Sequence, residues 1–219
     1  MSNPPATTVE HTSHPLFARV YARVAEIGER RGGAAHRREL LTGLHGRVVE
    51  VGAGSGANFK HYPTSVSGVV AVEPERYLRE RAQVAAARAP VPITVANGGA
   101  DALPGEAESF DAGVLALVLC TVPDQQRALA EVRRVIRPGG ELRFYEHVIS
   151  ESAWEARFQR LADRTIWPSL AGGCHLARDT GAAIEQAGFQ IEKLERFRFS
   201  PAAFLPSDPH LLGVARRLA

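Results

Sequence analysis

Three glycines and one glutamate have the spacing of a nucleoside-binding site. An apolar run ending in Val51 passes directly into Gly52-x-Gly54-x-Gly56. Glycine tolerates positive φ and lets a ligand approach the backbone closely. About twenty residues on, a second apolar run ends at Glu73, where an acid accepts hydrogen bonds from both hydroxyls of a ribose. No Lys-Ser/Thr follows the glycines, so a phosphate-binding loop is disfavoured and an adenosine-type pocket is predicted.

Alternating strands and helices are predicted to position this pocket. The strands are expected at 47–51, 68–73, 92–96, 110–117, 141–148, 189–198 and 210–217. The helices are expected after the glycine turn and at 15–31, 34–43, 77–88, 124–136 and 179–187. Arg137-Pro138-Gly139-Gly140 is typical of a helix stop and turn. The predicted fold is α/β and doubly wound, a mostly parallel seven-stranded sheet with helices on both faces and an antiparallel final strand. Its ligand lies beyond the carboxyl ends of the strands.

Composition narrows the function classes. Apolar residues make up 45% and charged residues 23% of the 219 residues, as in an ordinary globular protein, and the net charge of +2 gives no reason to expect a nucleic-acid partner. The absence of a long apolar run predicts a cytoplasmic protein without a stable membrane anchor, and two cysteines fit a reducing compartment. No metal site is predicted. A mobile tail is expected at 1–13 and one domain at 14–219, with leading helices at 14–45 and a substrate cover at 151–178.

Several motifs together resemble the class I S-adenosylmethionine-dependent methyltransferases, a Rossmann-like family. They are the glycine turn, Glu73 after the second strand, Phe110-Asp111 opening the fourth, and Arg137-Pro138-Gly139-Gly140 before the fifth. The segments 56–63, 117–122, 146–148 and 173–178 are similar to the methyltransferase-like thiol S-methyltransferases of animals, which contain a type 11 methyltransferase domain.

The resemblance implies S-adenosyl-L-methionine as the cofactor and a small-molecule substrate, with a thiol methylated on sulfur as the preferred acceptor. Those relatives carry an N-terminal membrane anchor, which is not expected here. A quinone or phenol, an amine or a phospholipid head group stays open as the acceptor, as does a non-catalytic nucleoside-binding module. The sequence makes no prediction of the oligomeric state.

The predicted cofactor site draws on the turn, the second strand and two later loops. Its residues are Glu50, Gly52, Ala53, Gly54, Gly56, Asn58, Glu73, Pro74, Ala100, Asp101, Ala102 and Leu117. The stretch Gly98–Pro104 departs from the common Gly-Asp-Ala pattern, so the acid position falls on Gly99 or Asp101. We predict that Asp101 accepts from the adenine amino group; the alternative is an ordinary loop acid.

Candidates on the acceptor side lie near the end of the fifth strand. His147 is predicted to face the acceptor, with Glu146 as its orienting partner or as a structural anchor. His175, in a glycine-rich loop, is the second candidate base. Cys120 is expected to be inert packing, and beside Cys174 only His175 is expected to lower the thiol pKa.

The segment 151–178 contains the aromatic residues of the predicted substrate cover. These are Trp154, Phe158 and Trp167. With the leading helix they are predicted to close over the rim of the pocket. The alternative is a helix packed on the edge of the sheet.

Overall fold

A computed structural model describes residues 15–165, 167–202 and 206–219. The predicted tail at 1–13 lies outside this part. The α-helices are α1 Pro15–Gly28, α2 Ala34–Leu41, α3 Arg76–Ala86, α4 Gln125–Val135, α5 Ala153–Asp163, α6 Trp167–Leu170 and α7 Thr180–Gln186. The strands are β1 Gly46–Val51, β2 Val66–Val72, β3 Ile93–Ala96, β4 Phe110–Ala116, β5 Ile136–His147, β6 Phe189–Phe199 and β7 Asp208–Arg217.

The strands form one seven-stranded sheet in the order β3-β2-β1-β4-β5-β7-β6. All pairings from β3 to β5 are parallel, whereas β7 is antiparallel to β5 and to β6. The predicted fold class is therefore confirmed, including the antiparallel final strand. From β1 the chain first adds β2 and β3 on one side and then crosses to add β4 on the other, and this switch in strand order creates the crevice where ligands bind in such sheets.

Helices cover both faces, and the alternation of side chains along each strand divides the core accordingly. On one face, Val49 and Val51 of β1 lie in a cluster with Leu129 of α4 and Ile184 of α7. On the other face, Val48 lies in a cluster with residues of α2 and α3. A sheet that is covered by helices on both faces needs strands that are apolar along nearly their whole length, and the sequence shows such strands.

Two local predictions are wrong. The glycine turn leads not into an α-helix but into a single turn of 3₁₀ helix, Phe59–His61, because Tyr62 is already extended and Pro63 follows. The strand after α4 begins at Ile136 rather than Glu141. Its register jumps from Ile136 opposite Phe110 to Glu141 opposite Ala112, so the predicted turn residues 137–140 form a bulge inside β5.

The leading segment is also interrupted. Its predicted helix, 15–31, ends at Gly28 and passes through a π-helical turn in which Gly32 has a φ of 129°. Within the described ranges, no helix is both long enough and apolar enough to cross a membrane.

Candidate functional site

The glycine turn after β1 has two glycines required by packing and one that borders open space. Gly52 has a φ of +65°, and a Cβ there would lie 2.6 Å from Cγ2 of Val118. Gly54 has a φ of +56°, and a Cβ there would meet no atom within 4 Å. A Cβ on Gly56 would lie 2.7 Å from the Phe59 ring. The turn therefore packs through Gly52 and Gly56 and presents a bare backbone at Gly54.

Glu73 lies beside that bare backbone. Its Oε2 accepts a hydrogen bond from the N–H of Gly54 at 2.8 Å, and its Oε1 accepts one from the N–H of Glu75 at 2.9 Å. The residue is only 5% exposed, and burial raises the pKa of its carboxyl above the ordinary value. A carboxylate has about four lone-pair sites. The two that remain are free to accept from a ligand, and contact of Glu73 with the ribose hydroxyls stays a prediction.

A buried network below the turn fixes its shape. Asn58 donates to Oε1 of Glu50 at 3.0 Å, and the Tyr62 hydroxyl donates to Oε2 at 2.6 Å. Arg37 of α2 donates to Oδ1 of Asn58 at 2.9 Å and forms an ion pair with Glu29. Burial raises the pKa of Glu50 to about 7. These contacts hold the turn; cofactor contact by Glu50 or Asn58 stays a prediction.

Sequence reasoning did not assign Tyr62 or Arg37 to this network. Glu50 is the residue from which such a network could be predicted, because an acid inside an apolar strand requires polar partners when it is buried. The partners could not be identified from spacing alone, since Arg37 precedes the strand and Tyr62 follows the turn.

The predicted adenine end lies after β3, on the same edge of the sheet. Asp101 is partly exposed, and its Oδ2 lies 3.8 Å from a guanidinium nitrogen of Arg127. Ala100 packs against the core, and the N–H of Ala102 donates to the Gly99 carbonyl. The loop is adjacent to the tip of β2, which carries Glu73 and then Pro74, because β2 pairs with β3. Adenine recognition by this loop stays a prediction.

The turn after β4 is anchored by Glu146. Leu117 has a φ of +63°, unusual for a residue other than glycine, and its N–H donates to the Tyr145 carbonyl at 2.7 Å. Glu146 accepts from the N–H groups of Val118 at 2.9 Å and Cys120 at 3.4 Å. Burial raises the pKa of Glu146 to about 7. Of its two predicted roles, these contacts fit the structural anchor, and they hold the strained Leu117 in place.

His147 projects from the opposite side of β5, because successive side chains of a strand alternate. It is buried, and its ring lies edge-on to His210 with the centroids 5.4 Å apart. Neither ring nitrogen has a nitrogen or oxygen partner at hydrogen-bonding distance within the described part of the chain, but the ring interacts with the Cys174 thiol and lowers its pKa. The position of this imidazole at the carboxyl edge of the sheet, beside a thiol, favours contact with a ligand.

His175 lies close by but has partners. Its backbone N–H donates to the Cys120 carbonyl at 2.8 Å, and its ring Nδ1 lies 3.7 Å from Oδ2 of Asp163. The structure therefore places both candidate histidines around the loop that contains Cys174. Their catalytic roles stay predictions.

The two cysteines interact, contrary to the sequence-based expectations. The Cys120 thiol, by hydrogen bonding, is the largest influence that lowers the pKa of Cys174 to about 5, and His147 adds to this effect. The same hydrogen bond, together with burial, raises the pKa of Cys120 well above its ordinary value. The prediction that only His175 would lower the Cys174 pKa is wrong, because the neighbours that matter come from β5 and the turn after β4.

The aromatic side chains of α5 do not close over the rim of the pocket as the predicted cover requires. Trp154 is 74% exposed and Phe158 60% exposed, so both side chains face solvent and not the rim. Trp167, at the start of α6, is exposed as well, although less so than Trp154 and Phe158. Closure of 151–178 over an acceptor stays a prediction. Among the described residues, no group of three or more acidic, histidine or cysteine side chains could hold a metal ion.

Comparisons with known proteins agree with this geometry. Residues 49–144 match the family model described as a methyltransferase domain. The chain is 35% identical over 181 residues to human thiol S-methyltransferase TMT1B, covering 80% of this chain and 73% of that protein. It is also 35% identical over 205 residues to human thiol S-methyltransferase TMT1A, covering 83% and 78% respectively.

Solved structures share the fold at lower sequence identity. A methyltransferase from Thermotoga maritima, described as a possible histamine N-methyltransferase, has a TM-score of 0.68 at 20% identity, covering 92% of this chain and 97% of that one. A Galdieria sulphuraria protein described as a candidate sarcosine dimethylglycine methyltransferase has a TM-score of 0.70 at 14% identity, covering 92% of this chain and 98% of that one. The chain thus belongs to the class I S-adenosylmethionine-dependent methyltransferases, in the family that includes the thiol S-methyltransferases TMT1A and TMT1B.

Proposed function

We propose that this enzyme transfers a methyl group from S-adenosylmethionine to the thiol of a small molecule. One observation carries the proposal. The same sheet edge carries the bare backbone of Gly54 beside the Glu73 carboxylate and, at the end of β5, the buried imidazole of His147 next to the Cys174 thiol. The names of the relatives TMT1A and TMT1B support a thiol as the acceptor.

Two features of this chain suit the nucleoside part of the cofactor. Gly54 leaves space where any side chain would stand, and the carboxylate of Glu73 has acceptor capacity beside that space. Glu73 would hold the ribose hydroxyls and Asp101 the adenine amino group. When bound, the cofactor supplies a methyl group already activated by a positively charged sulfur.

The protein then has to align the acceptor and remove one proton. An aliphatic thiol has a pKa of about 8.5, so only a few per cent is thiolate at neutral pH. A ring nitrogen of His147 can accept the thiol proton, and the burial of this side chain keeps competing water away. Alignment in a water-poor pocket is expected to supply most of the rate enhancement. No catalytic triad is required.

A panel of acceptors tests the proposal. The purified chain is incubated with donor labelled in the methyl group and with an aliphatic thiol, a phenol, a quinone precursor, a primary amine and a phospholipid amine. Mass spectrometry then locates the label. We expect methyl thioethers only. Turnover of a phenol, quinone or amine without thiol turnover contradicts the proposed acceptor, whereas donor binding without any turnover indicates a nucleoside-binding module.

A further inference from the structure

Two thiols of unequal access lie at the acceptor side of the site. Cys120 and Cys174 are the two cysteines of the chain, and both are free. Cys120 is 3% exposed, whereas Cys174 is partly exposed. Each thiol shifts the pKa of the other, which indicates that the two side chains are neighbours. This arrangement offers one thiol that a small molecule can reach and a second, buried thiol next to it.

The backbone holds these thiols together. The N–H of His175 donates to the Cys120 carbonyl at 2.8 Å, so the residue after Cys174 is bonded to the other cysteine. Gly173 is packed so closely that an added Cβ would lie 3.2 Å from the Thr121 carbonyl oxygen. Disulfides join Cα atoms about 4.4–6.8 Å apart. Backbones linked by a hydrogen bond can meet this requirement with little rearrangement.

The charged surroundings differentiate the two thiols. Hydrogen bonding with Cys120 and, to a smaller extent, the interaction with His147 lower the pKa of Cys174, which favours its thiolate form, whereas the charge of Asp163 raises this pKa. A charge on Cys174 in turn raises the pKa values of Arg178 and Glu146. The raised pKa of Cys120 keeps that residue a protonated thiol. A thiolate is the attacking species in disulfide exchange, and a low pKa marks cysteines that react.

We propose that Cys174 is a site of thiol–disulfide exchange with low-molecular-weight disulfides, and that Cys120 resolves the product. In the first step, the Cys174 thiolate attacks one sulfur of the small disulfide, forming a mixed disulfide and expelling one thiolate. In the second step, Cys120 gives its proton to the thiolate expelled in the first step and attacks Sγ of Cys174, which breaks the mixed disulfide and expels the second thiolate. The two cysteines are oxidised to one disulfide, and the small disulfide is reduced to two thiols.

The internal disulfide would join the turn after β4 to the loop before α7. The loop before α7 borders His147 through Cys174, so the bond would fix this loop at the acceptor side of the site. The exchange itself does not depend on the proposed function, because it needs only the two thiols. Loss of methyl transfer on oxidation does rest on the proposed function, and it is therefore not used as the primary measurement.

Intact-protein mass spectrometry after treatment with oxidised glutathione tests the exchange. The wild-type chain is expected to lose two hydrogens and to retain no glutathione. Cys120→Ser and Cys120→Ala are expected to accumulate one glutathione, which peptide mapping places on Cys174. Cys174→Ser is expected to react at least tenfold more slowly than Cys120→Ser, and the double variant Cys120→Ser/Cys174→Ser gives the background. Circular dichroism checks that every variant is folded.

A second measurement follows the alkylation rate against pH. Cys174 in the wild-type chain should react with iodoacetamide at close to its full rate at about pH 6, where an ordinary cysteine is almost entirely protonated. In Cys120→Ala the rate should rise only at higher pH, because the main stabilising hydrogen bond is gone. A stable glutathione adduct on the wild-type chain, or equal reactivity of Cys120→Ser and Cys174→Ser, would overturn the proposal.

Discussion

The N–H of Gly54 donates a 2.8 Å hydrogen bond to the carboxylate of Glu73. This bond joins the turn after β1 to the tip of β2, the two parts of the predicted nucleoside pocket. The acid therefore supports the glycine turn in addition to its predicted contact with the ribose. Both functions use the same carboxylate, so substitutions must be chosen to separate them.

Glu73→Gln should weaken S-adenosylmethionine binding by about tenfold to a hundredfold, as expected for the loss of one or two charge-assisted hydrogen bonds. The amide keeps the size of the side chain and can still accept one bond from the backbone. Isothermal calorimetry measures the affinity. The matched control is Glu80→Gln on α3, an exposed acid paired with Arg76, which should bind normally. Unchanged affinity in a folded Glu73→Gln protein removes Glu73 from the site.

Gly54→Ala should abolish cofactor binding at a modest cost in stability. Gly43→Ala is the control, because Gly43 also has a positive φ and open space where a Cβ would stand, but lies between α2 and β1. Alanine in this conformation costs about 1–2 kcal/mol at either site. Urea unfolding should therefore show similar losses in both variants, whereas only Gly54→Ala loses binding. Equal binding by both variants would show that the turn does not contact the cofactor.

The fold could be predicted from the sequence because it depends on local patterns. Apolar runs indicated the strands, helical periodicity indicated most helices, and glycines marked the turn at Gly52. The residues 137–140 predict a simple turn and not the bulge that the structure shows, because the register between β4 and β5 is a tertiary property. Likewise, the pairing of Cys120 with Cys174 and of Glu50 with Tyr62 depends on contacts between segments that the sequence does not order in space.

Glu50→Gln should change how stability depends on pH. The pKa of Glu50 rises from an ordinary 4.5 to about 7 on folding, because the side chain is buried. The protonated form therefore stabilises the folded state below about pH 4.5, and this contribution is lost as the pH rises through 7. The loss amounts to on the order of 3 kcal/mol.

The glutamine amide does not titrate and can donate to the Tyr62 hydroxyl. Relative to the wild type, the free energy of unfolding of Glu50→Gln should thus increase between about pH 5 and 8. Urea denaturation at several pH values measures the difference. Glu146 also has a pKa of about 7, but it is present in both proteins, so its contribution cancels in the difference between their free energies of unfolding. A constant difference across this range would show that Glu50 does not titrate on folding as described.

His147→Ala should lower the rate of thiol methylation most at acidic pH, and the deficit should shrink as the pH approaches the pKa of the thiol. At high pH the acceptor is already a thiolate and needs no base. His147→Gln, which retains a polar side chain but cannot take the proton, should behave alike. The affinity for S-adenosylmethionine should be unchanged in both.

The control for this experiment is His45→Ala, since His45 is exposed and precedes β1, at the opposite end of the strand from the glycine turn. Steady-state rates across pH distinguish the possible roles. A deficit that does not vary with pH indicates that His147 positions the acceptor, whereas no deficit directs attention to His175 or to a reaction without a base.

The position of β7 has a consequence for the nascent protein. This strand, Asp208–Arg217, follows β6 in the chain but lies between β5 and β6 in the sheet. During synthesis, one edge of β5 therefore stays unpaired until β7 has been made. About sixty residues are added in between, which takes roughly 3–12 seconds at typical translation rates. Throughout that interval β5 is an open sheet edge that can pair with another chain. The yield of folded protein in cells should therefore depend on how quickly the ribosome completes residues 148–217.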